Sequence, residues 1–182
     1  MLRTILNGHR AAQCLLLCVW LGFPAAAQAM SRRYDGDAIA WAVGDKLCFG
    51  GKSFSVPGGF SNKKVSVDAS DVFIHGIEVF KGERDVFWSV FHPPDKEKKR
   101  SGINLKSTTC IEYSKDISGF SVKSSARPLE EGLYSVSLYG NDRKTSKRAL
   151  FFGYFCLKNP GAGLRAQGAV FDEKASRWVC AP

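Results

Sequence analysis

Short apolar segments alternate with clusters of Gly, Asn, Asp and Lys along this chain, and nothing longer than a turn shows helical periodicity. This pattern is typical of the strands and hairpins of an all-β domain. We predict strands at residues 38–43, 47–49, 72–80, 86–91, 108–113, 133–139, 149–157, 166–171 and 177–180. Residues 81–85 would form a short hairpin loop, and the glycine-rich residues 50–64 an irregular connection.

The first 29 residues have the layout of a secretory signal peptide. Arg3 and Arg10 give a positive start, residues 14–23 are apolar, and Ala27-Gln28-Ala29 form an AxA cleavage site. A membrane anchor is one alternative, but about ten apolar residues are only half of the roughly 20 that a span needs. A lipoprotein is another, but Cys18 lacks the small residue expected just before a lipidated cysteine.

We therefore predict a cleaved signal peptide over residues 1–29 and a single domain over residues 30–182, a length that suits one hydrophobic core. The predicted location is the periplasm, or the cell exterior if the source is not a Gram-negative bacterium. Without Arg3 and Arg10, the 26 Lys and Arg fall to 24 against 17 Asp and Glu, which leaves a net charge of +7.

This basic surplus favours acidic partners. Because an exported protein seldom meets nucleic acid, we predict no nucleic-acid partner and expect an acidic protein or an anionic envelope surface instead. The alternative is that the charge only keeps the domain soluble.

Four cysteines follow the predicted cleavage site: Cys48, Cys110, Cys156 and Cys180. Their even number in an exported chain predicts two disulfides. Of the three possible pairings we favour Cys48 with Cys110 and Cys156 with Cys180, because the second pair would fasten the C-terminal tail to an adjacent apolar strand. On the loop-entropy model these closures contribute about 4 and about 3.5 kcal/mol. A zinc site is the alternative, but CxxC spacing is lacking and no His flanks these cysteines, so we predict no metal and no cofactor.

Residues 129–136 have the form LxxGxYxV, which is typical of the tyrosine corner of immunoglobulin-like sandwiches. Leu129, Gly132 and Tyr134 would form this structural corner, with the Tyr134 hydroxyl turned back to upstream backbone. Alternation along the strand then places one set of side chains inward (Tyr134, Val136, Leu138) and the other outward (Ser135, Ser137). We predict an immunoglobulin-like antiparallel β-sandwich, stabilised by disulfides.

Residues 148–157 are apolar on both faces of the predicted strand, so both faces need cover. A partner strand, the C-terminal tail or another protein would provide it.

Candidate catalytic groups are few. His75 and His92, the two histidines after the predicted cleavage site, do not sit in a spacing that suggests a nucleophile, a triad or a metal pair. Glu130 and Glu131 are adjacent, and neighbouring strand residues point to opposite faces, so they are poorly placed for joint acid and base roles. We predict no catalytic residues and a protein that is not an enzyme.

Two loops concentrate basic charge, at residues 95–100 and 141–148. Loops at hairpin tips often display binding residues on a rigid sandwich, although a solvated loop without a partner is the alternative. The candidate partner-binding residues are Lys98, Lys99, Arg100, Arg143, Lys144, Lys147 and Arg148. Among these the arginines are the stronger anchors, because a guanidinium grips a carboxylate at two points.

Four short segments follow one another along the chain: DKLCF at residues 45–49, CIEY at 110–113, LEEGLYSV at 129–136 and FFGYF at 151–155. Together they resemble a group of small periplasmic proteins and lipoproteins regarded as type VI secretion system immunity proteins. The resemblance covers residues 45–157. It implies a non-enzymatic role, in which the protein binds and neutralises a secreted toxin that attacks peptidoglycan or phospholipid.

Two other functions stay open. The first is an envelope-binding module whose basic surface holds anionic lipid or cell-wall polymer, with binding that weakens as salt rises. The second is a secreted hydrolase with a dispersed site, for which a pocket would have to bring His75 or His92 against an acidic residue. An exported domain without either role is the plainest alternative.

Overall fold

Strands make up nearly all the regular structure of the computed structural model, which describes residues 34–57, 64–82, 84–93, 102–106, 109–159 and 163–181. One turn of 3-10 helix, Ala69–Asp71, is the exception within these ranges. The all-β prediction is therefore confirmed. The strands are β1 (Tyr34–Val43), β2 (Lys46–Gly51), β3 (Phe54–Pro57), β4 (Lys64–Val67), β5 (Val72–Lys81), β6 (Asp85–Phe91), β7 (Ile103–Asn104), β8 (Ile111–Glu112), β9 (Ser121–Ser124), β10 (Gly132–Asp142), β11 (Arg148–Lys158), β12 (Arg165–Gly168), β13 (Val170–Asp172) and β14 (Arg177–Val179).

One layer of the fold is an antiparallel sheet in the order β11-β10-β5-β6-β9, with β12 added beside β11 and β7 beside β5. β10 and β11 pair along their length, from Gly132 opposite Leu157 to Asn141 opposite Arg148. The side chains predicted to face inward along β10 are fully buried: Tyr134, Val136 and Leu138. This alternation is what fixes the register of a strand that has a buried face.

β1 joins this layer to the second one because it changes partners along its length. Residues 34–37 pair in parallel with β11, and residues 38–43 pair antiparallel with β2, which pairs in turn with β8. Where β1 leaves β11 to pair with β2, the two backbones are close together at Gly153. A Cβ atom on Gly153 would lie 2.3 Å from the carbonyl oxygen of Ala38. The predicted β-sandwich is thus confirmed, with the parallel β1–β11 pair as a departure from a purely antiparallel arrangement. Its immunoglobulin-like character stays a prediction.

Aromatic side chains fill the core between the layers. Phe155 of β11 lies edge-on to Phe49 of β2, with ring centroids 5.7 Å apart, and stacks on Tyr134 at 5.6 Å. Trp88 of β6 packs against Tyr113, just after β8, at 5.4 Å. Burying a large apolar side chain contributes roughly 1.5–3 kcal/mol. These contacts therefore hold the two layers together.

Several predicted segments differ from the observed strands. Residues 50–64 are not wholly irregular, because β2 extends to Gly51 and β3 pairs with β4 as a hairpin. Residues 166–171 are not one strand, because β12 pairs with β11 whereas β13 pairs with β14. Of the predicted strand at residues 108–113, residue 108 lies outside the described part, and among residues 109–113 only β8 is a strand. The short strands β7 and β9 are absent from the prediction, because pairing with β5 and β6 rather than an apolar alternation holds them in the sheet.

Two disulfides join the cysteine pairs that we favoured above. Cys48 of β2 is bonded to Cys110, next to β8, and their Cα atoms are 4.9 Å apart. Because β2 and β8 are hydrogen-bonded neighbours, this bond lies within one layer, unlike the disulfide between sheets in antibody domains. Cys156 of β11 is bonded to Cys180, beyond β14, with Cα atoms 5.5 Å apart. Two disulfides indicate an oxidising environment of the kind that exported proteins meet.

The C-terminal tail covers part of the outer face of β11. Trp178 stacks on Tyr154 with ring centroids 4.8 Å apart, beside the Cys156 disulfide. The side chains of Lys158 and Gln167 each donate a hydrogen bond to the carbonyl oxygen of Ala181, both at 3.2 Å. Of the three kinds of cover that the apolar pattern of β11 allowed, the structure shows the tail.

The predicted signal peptide lies outside the described residues. The chain from Arg33 to Pro182 forms one compact unit. Within the described part of the chain, no helix has the length and apolar character that crossing a membrane requires.

Candidate functional site

The predicted tyrosine corner is present at the start of β10. The Tyr134 hydroxyl donates to the Glu130 carbonyl oxygen at 3.1 Å and accepts from the Glu130 N–H at 3.2 Å. Gly132 has a φ of +141°, which favours glycine, and Leu129 is half-buried. The Lys81 ammonium forms an ion pair with the Glu130 carboxylate, which ties the corner to β5 and raises the pKa of Lys81.

A second tyrosine performs a similar role without any local motif. The buried Tyr113 hydroxyl donates to the Arg127 carbonyl oxygen at 2.8 Å, lies 3.1 Å from the Phe87 carbonyl oxygen, and accepts from the Arg127 N–H at 3.2 Å. The Arg127 N–H also donates to the Phe87 carbonyl oxygen at 3.1 Å. Burial raises the pKa of Tyr113 to about 12, so the phenol stays neutral in this position. The hydroxyl thereby fastens the segment before β10 to β6.

The turn between β10 and β11 displays the second basic loop, and a buried aspartate organises it. The Asp142 carboxylate accepts the N–H groups of Lys144 and Thr145, at 3.3 and 3.0 Å, and also the Thr145 hydroxyl. Asp142 is only 5% exposed. Its backbone N–H donates to the Lys147 carbonyl oxygen, and its carbonyl oxygen accepts from the Ser146 N–H, both at 2.8 Å. These bonds close the turn on itself.

The same turn is attached to the 3-10 helix at Ala69–Asp71. The Arg143 N–H donates to the Asp71 carbonyl oxygen at 2.8 Å. The Lys144 ammonium forms an ion pair with the Asp71 carboxylate, which raises the pKa of Lys144. Lys144, predicted as a partner-binding residue, therefore braces the turn.

The remaining predicted basic residues of the turn are exposed: Arg143, Lys147 and Arg148. Within the described ranges, the Arg143 and Arg148 guanidinium groups have no hydrogen-bond or ion-pair partner. The other predicted loop, with Lys98, Lys99 and Arg100, lies outside the described residues. The candidate functional site is therefore the turn between β10 and β11, which Asp142 and Asp71 hold in shape and on which the Arg143 and Arg148 guanidinium groups are exposed to solvent.

The two histidines lie apart from this turn's hydrogen-bond network. His75 sits at an irregularity where the β5–β10 register shifts, and its half-buried position lowers the pKa of the ring. The His92 ring contacts Phe120 edge-on, with centroids 5.5 Å apart, and its Nδ1 lies 2.8 Å from the Pro93 carbonyl oxygen. In the described part of the chain, no ion pair or hydrogen bond joins either ring to a carboxylate.

Described residues line two surface clefts, with volumes of about 610 and 450 Å³. The larger lies between Lys46, Glu112 and Arg127, whose charges are already engaged: Lys46 with Glu112, and Arg127 with Asp85. The smaller is lined by Trp88, Phe120 and neighbouring residues of the 114–126 segment. Neither histidine lines either cleft.

Sequence reasoning placed basic residues at this turn but missed Asp142 and Asp71, the two carboxylates that shape it. The local signal for Asp142 is an aspartate three residues before Thr145, a spacing that suits a side chain bonding the N–H groups that follow it. Asp71 carries no such signal, because it belongs to an element distant in the chain.

Among the described residues, no group of three or more His, Cys, Asp and Glu side chains is placed to hold a metal ion. Comparisons with known proteins found no matching family model, no similar curated protein and no similar solved structure.

Proposed function

We propose that this chain is an exported, non-enzymatic binding protein, and more specifically a periplasmic immunity protein that neutralises a type VI secretion toxin. The observation that carries the proposal is the braced basic turn between β10 and β11. Its backbone is held by the buried Asp142 and by Asp71, while Arg143 and Arg148 stay exposed. A charged loop of fixed shape is suited to recognising a carboxylate-rich surface.

The scaffold supports this proposal because an inhibitor gains affinity when little ordering accompanies binding. Two disulfides limit the freedom of the chain, one in the middle of the domain and one at its tail. Tyr113 and Tyr134 lock the segment that leads into β10. The turn is thus displayed between two strands that are paired along their whole length.

The charge of the chain also supports an acidic partner. The net charge is +9 for the full sequence and +7 without Arg3 and Arg10 of the predicted signal peptide. This charge favours fast association with a negatively charged protein, and the steering weakens as salt screens it. Toxins within reach of a periplasmic protein would attack peptidoglycan or phospholipid. We therefore propose that the arginines occupy an acidic active-site groove or its rim on such a hydrolase.

The proposal is tested by contact-dependent competition between the source bacterium and a strain that lacks this protein. The deletion strain should lose viability beside its parent, and the wild-type gene should restore survival. The double variant Arg143→Glu and Arg148→Glu should restore it poorly. The matched control is Arg84→Glu with Lys123→Glu, which changes the net charge equally at two other exposed positions.

Full survival of the deletion strain would contradict the immunity role. If both double variants protect as well as the wild type, the turn is not the contact surface. If both fail equally, overall charge rather than the turn governs binding, which would favour an envelope-binding module.

A further inference from the structure

A ladder of exposed aromatic rings crosses the outer face of β11 and the β13–β14 hairpin. Phe152 lies edge-on to Tyr154 at 4.9 Å, Tyr154 stacks on Trp178 at 4.8 Å, and Trp178 contacts Phe171 at 5.4 Å between ring centroids. Phe152, Trp178 and Phe171 are 38%, 37% and 46% exposed. A contiguous apolar patch of this kind on a folded domain indicates a binding surface.

The ladder is held in shape by covalent and polar links at its tail end. The Cys156–Cys180 disulfide lies two residues from both Tyr154 and Trp178. The hairpin turn is closed by Asp172, whose carboxylate accepts the N–H of Lys174 at 2.9 Å. Rings that are fixed before binding lose little entropy when a ligand arrives.

Beside the rings, the same face of the sheet carries a polar floor. Ser137 is paired with Phe152 across the β10–β11 ladder, and Ser135 is paired with Tyr154. Both serines are nine-tenths buried or more, at 6% and 4% exposure, and no described residue bonds their hydroxyl groups. Next to Ser137 lies Glu78 of β5, whose carboxylate accepts the Tyr139 hydroxyl at 2.6 Å.

The aromatic rings and the serine hydroxyls together indicate which class of ligand fits this face. Asn104 Oδ1 is the one fully buried side-chain polar atom without a partner in the described part of the chain, so the serine oxygens still reach the surface. An aliphatic or lipid surface seated on the rings would cover these hydroxyls and leave them without partners, which costs free energy. A sugar chain offers C–H faces to aromatic rings and hydroxyl groups to the serines and the carboxylate.

Exposed charges near the rings have both signs. Asp37 is paired with Phe152, and the β13–β14 hairpin carries Glu173, Lys174 and Arg177. Neither sign dominates, which suits a ligand without net charge.

We infer that the aromatic ladder is a saccharide-binding platform that takes a neutral oligosaccharide strand, with Phe152 and Trp178 stacking on its sugar rings and Ser137 bonding its hydroxyl groups. Amino-sugar chains of a cell wall and plain hexose chains share this chemistry. The platform uses residues other than Arg143, and it would hold the protein on a glycan while the basic turn engages a partner.

The test is calorimetric titration of the oxidised full chain with chitotriose, an amino-sugar probe, and with cellotriose, a glucose probe. Each probe is raised to about 10 mM, which would saturate even a millimolar site. Binding of chitotriose alone would assign the platform to amino-sugar chains, and binding of cellotriose to hexose chains. Trp178→Ala and Phe152→Ala should each weaken binding by about tenfold, the scale of one ring contact. Val122→Ala, which trims another side chain that is 54% exposed, is the control and should leave the affinity unchanged.

Ser137→Ala gives a second variant that leaves the rings intact, and it should weaken binding several-fold. Near-ultraviolet circular dichroism establishes that each variant keeps its packing. Absence of heat with both probes would overturn the inference, as would equal affinities of the Trp178 and Val122 variants. A dimer seen by analytical ultracentrifugation that only Trp178→Ala dissociates, without sugar binding, would overturn it in favour of a second copy of the chain.

Discussion

Gly153 is a position where one added methyl group should clearly damage the fold. It lies in β11 beside the point at which β1 leaves that strand to pair with β2. A Cβ atom there would lie 2.3 Å from the Ala38 carbonyl oxygen and 3.2 Å from its carbonyl carbon. Both atoms are backbone, so no flexible side chain can move aside.

The expected loss of unfolding free energy follows from how far the backbone of β1 must move. Relief of the contact requires β1 to move by about 1 Å, and overpacking of this kind in a close-packed interior costs about 1–3 kcal/mol. Because β1 is paired on both sides of the crossing, we expect Gly153→Ala to lower the free energy of unfolding by about 3 kcal/mol, near the upper end of that range. This corresponds to a change of roughly 100-fold or more in the folding equilibrium constant.

The assay is equilibrium unfolding in urea of the oxidised protein, followed by tryptophan fluorescence. Gly168→Ala is the matched control, because a Cβ atom at that position meets nothing within 4 Å. The control should change stability by less than about 0.5 kcal/mol. If Gly153→Ala is equally harmless, β1 does not cross β11 as described.

Three further predictions concern the Tyr113 hydroxyl and the Cys156–Cys180 disulfide, which fasten segments of the fold. Tyr113→Phe should lower the free energy of unfolding by about 1–2 kcal/mol, because the Arg127 carbonyl oxygen loses its partner. The Arg127 N–H and the Phe87 carbonyl oxygen keep their bond to each other at 3.1 Å. Since burial raises the pKa of Tyr113 to about 12 from 10.0, the folded state holds the phenolic proton more tightly than the unfolded chain. Wild-type stability should therefore fall by about 2 kcal/mol as the pH rises through that window. The Phe variant should show a smaller fall in urea titrations at each pH, because burial also raises the pKa of Tyr134, which still contributes. The double variant Cys156→Ala and Cys180→Ala should release the tail and expose it to trypsin at Arg177 within minutes, with the Cys48–Cys110 bond intact by mass spectrometry. Equal trypsin resistance would show that the aromatic stack alone holds the tail.

Local patterns predicted the parts of the structure that local chemistry decides. The LxxGxYxV pattern placed Tyr134 at its corner because its hydroxyl bonds backbone only four residues away. The alternation of β10 placed its inward residues correctly, and the apolar pattern of β11 indicated that both its faces need cover.

Features that depend on contacts between residues distant in the chain could not be predicted from the sequence. Tyr113 bonds groups 14 and 26 residues distant, and no spacing in the chain signals that. The partner change of β1 depends on where β11 lies in space. Ser135 and Ser137 face outward as predicted, yet little of their surface is exposed, because they lie beside large neighbours, Tyr154 and Phe152, on the paired strand. Apolar pattern alone also left open which of three covers lies on β11.

The central claim is that the protein acts by binding and neutralising a toxin. The most direct test is affinity capture from the envelope and secretome of the source organism, with oxidised wild-type protein and the Arg143→Glu, Arg148→Glu variant as parallel baits. We predict that the wild type retains one stoichiometric partner, a peptidoglycan or phospholipid hydrolase whose activity is abolished at a one-to-one ratio, and that the variant retains far less of it. Retention of lipid or polymer alone, or of a hydrolase that stays fully active in the complex, would contradict the claim.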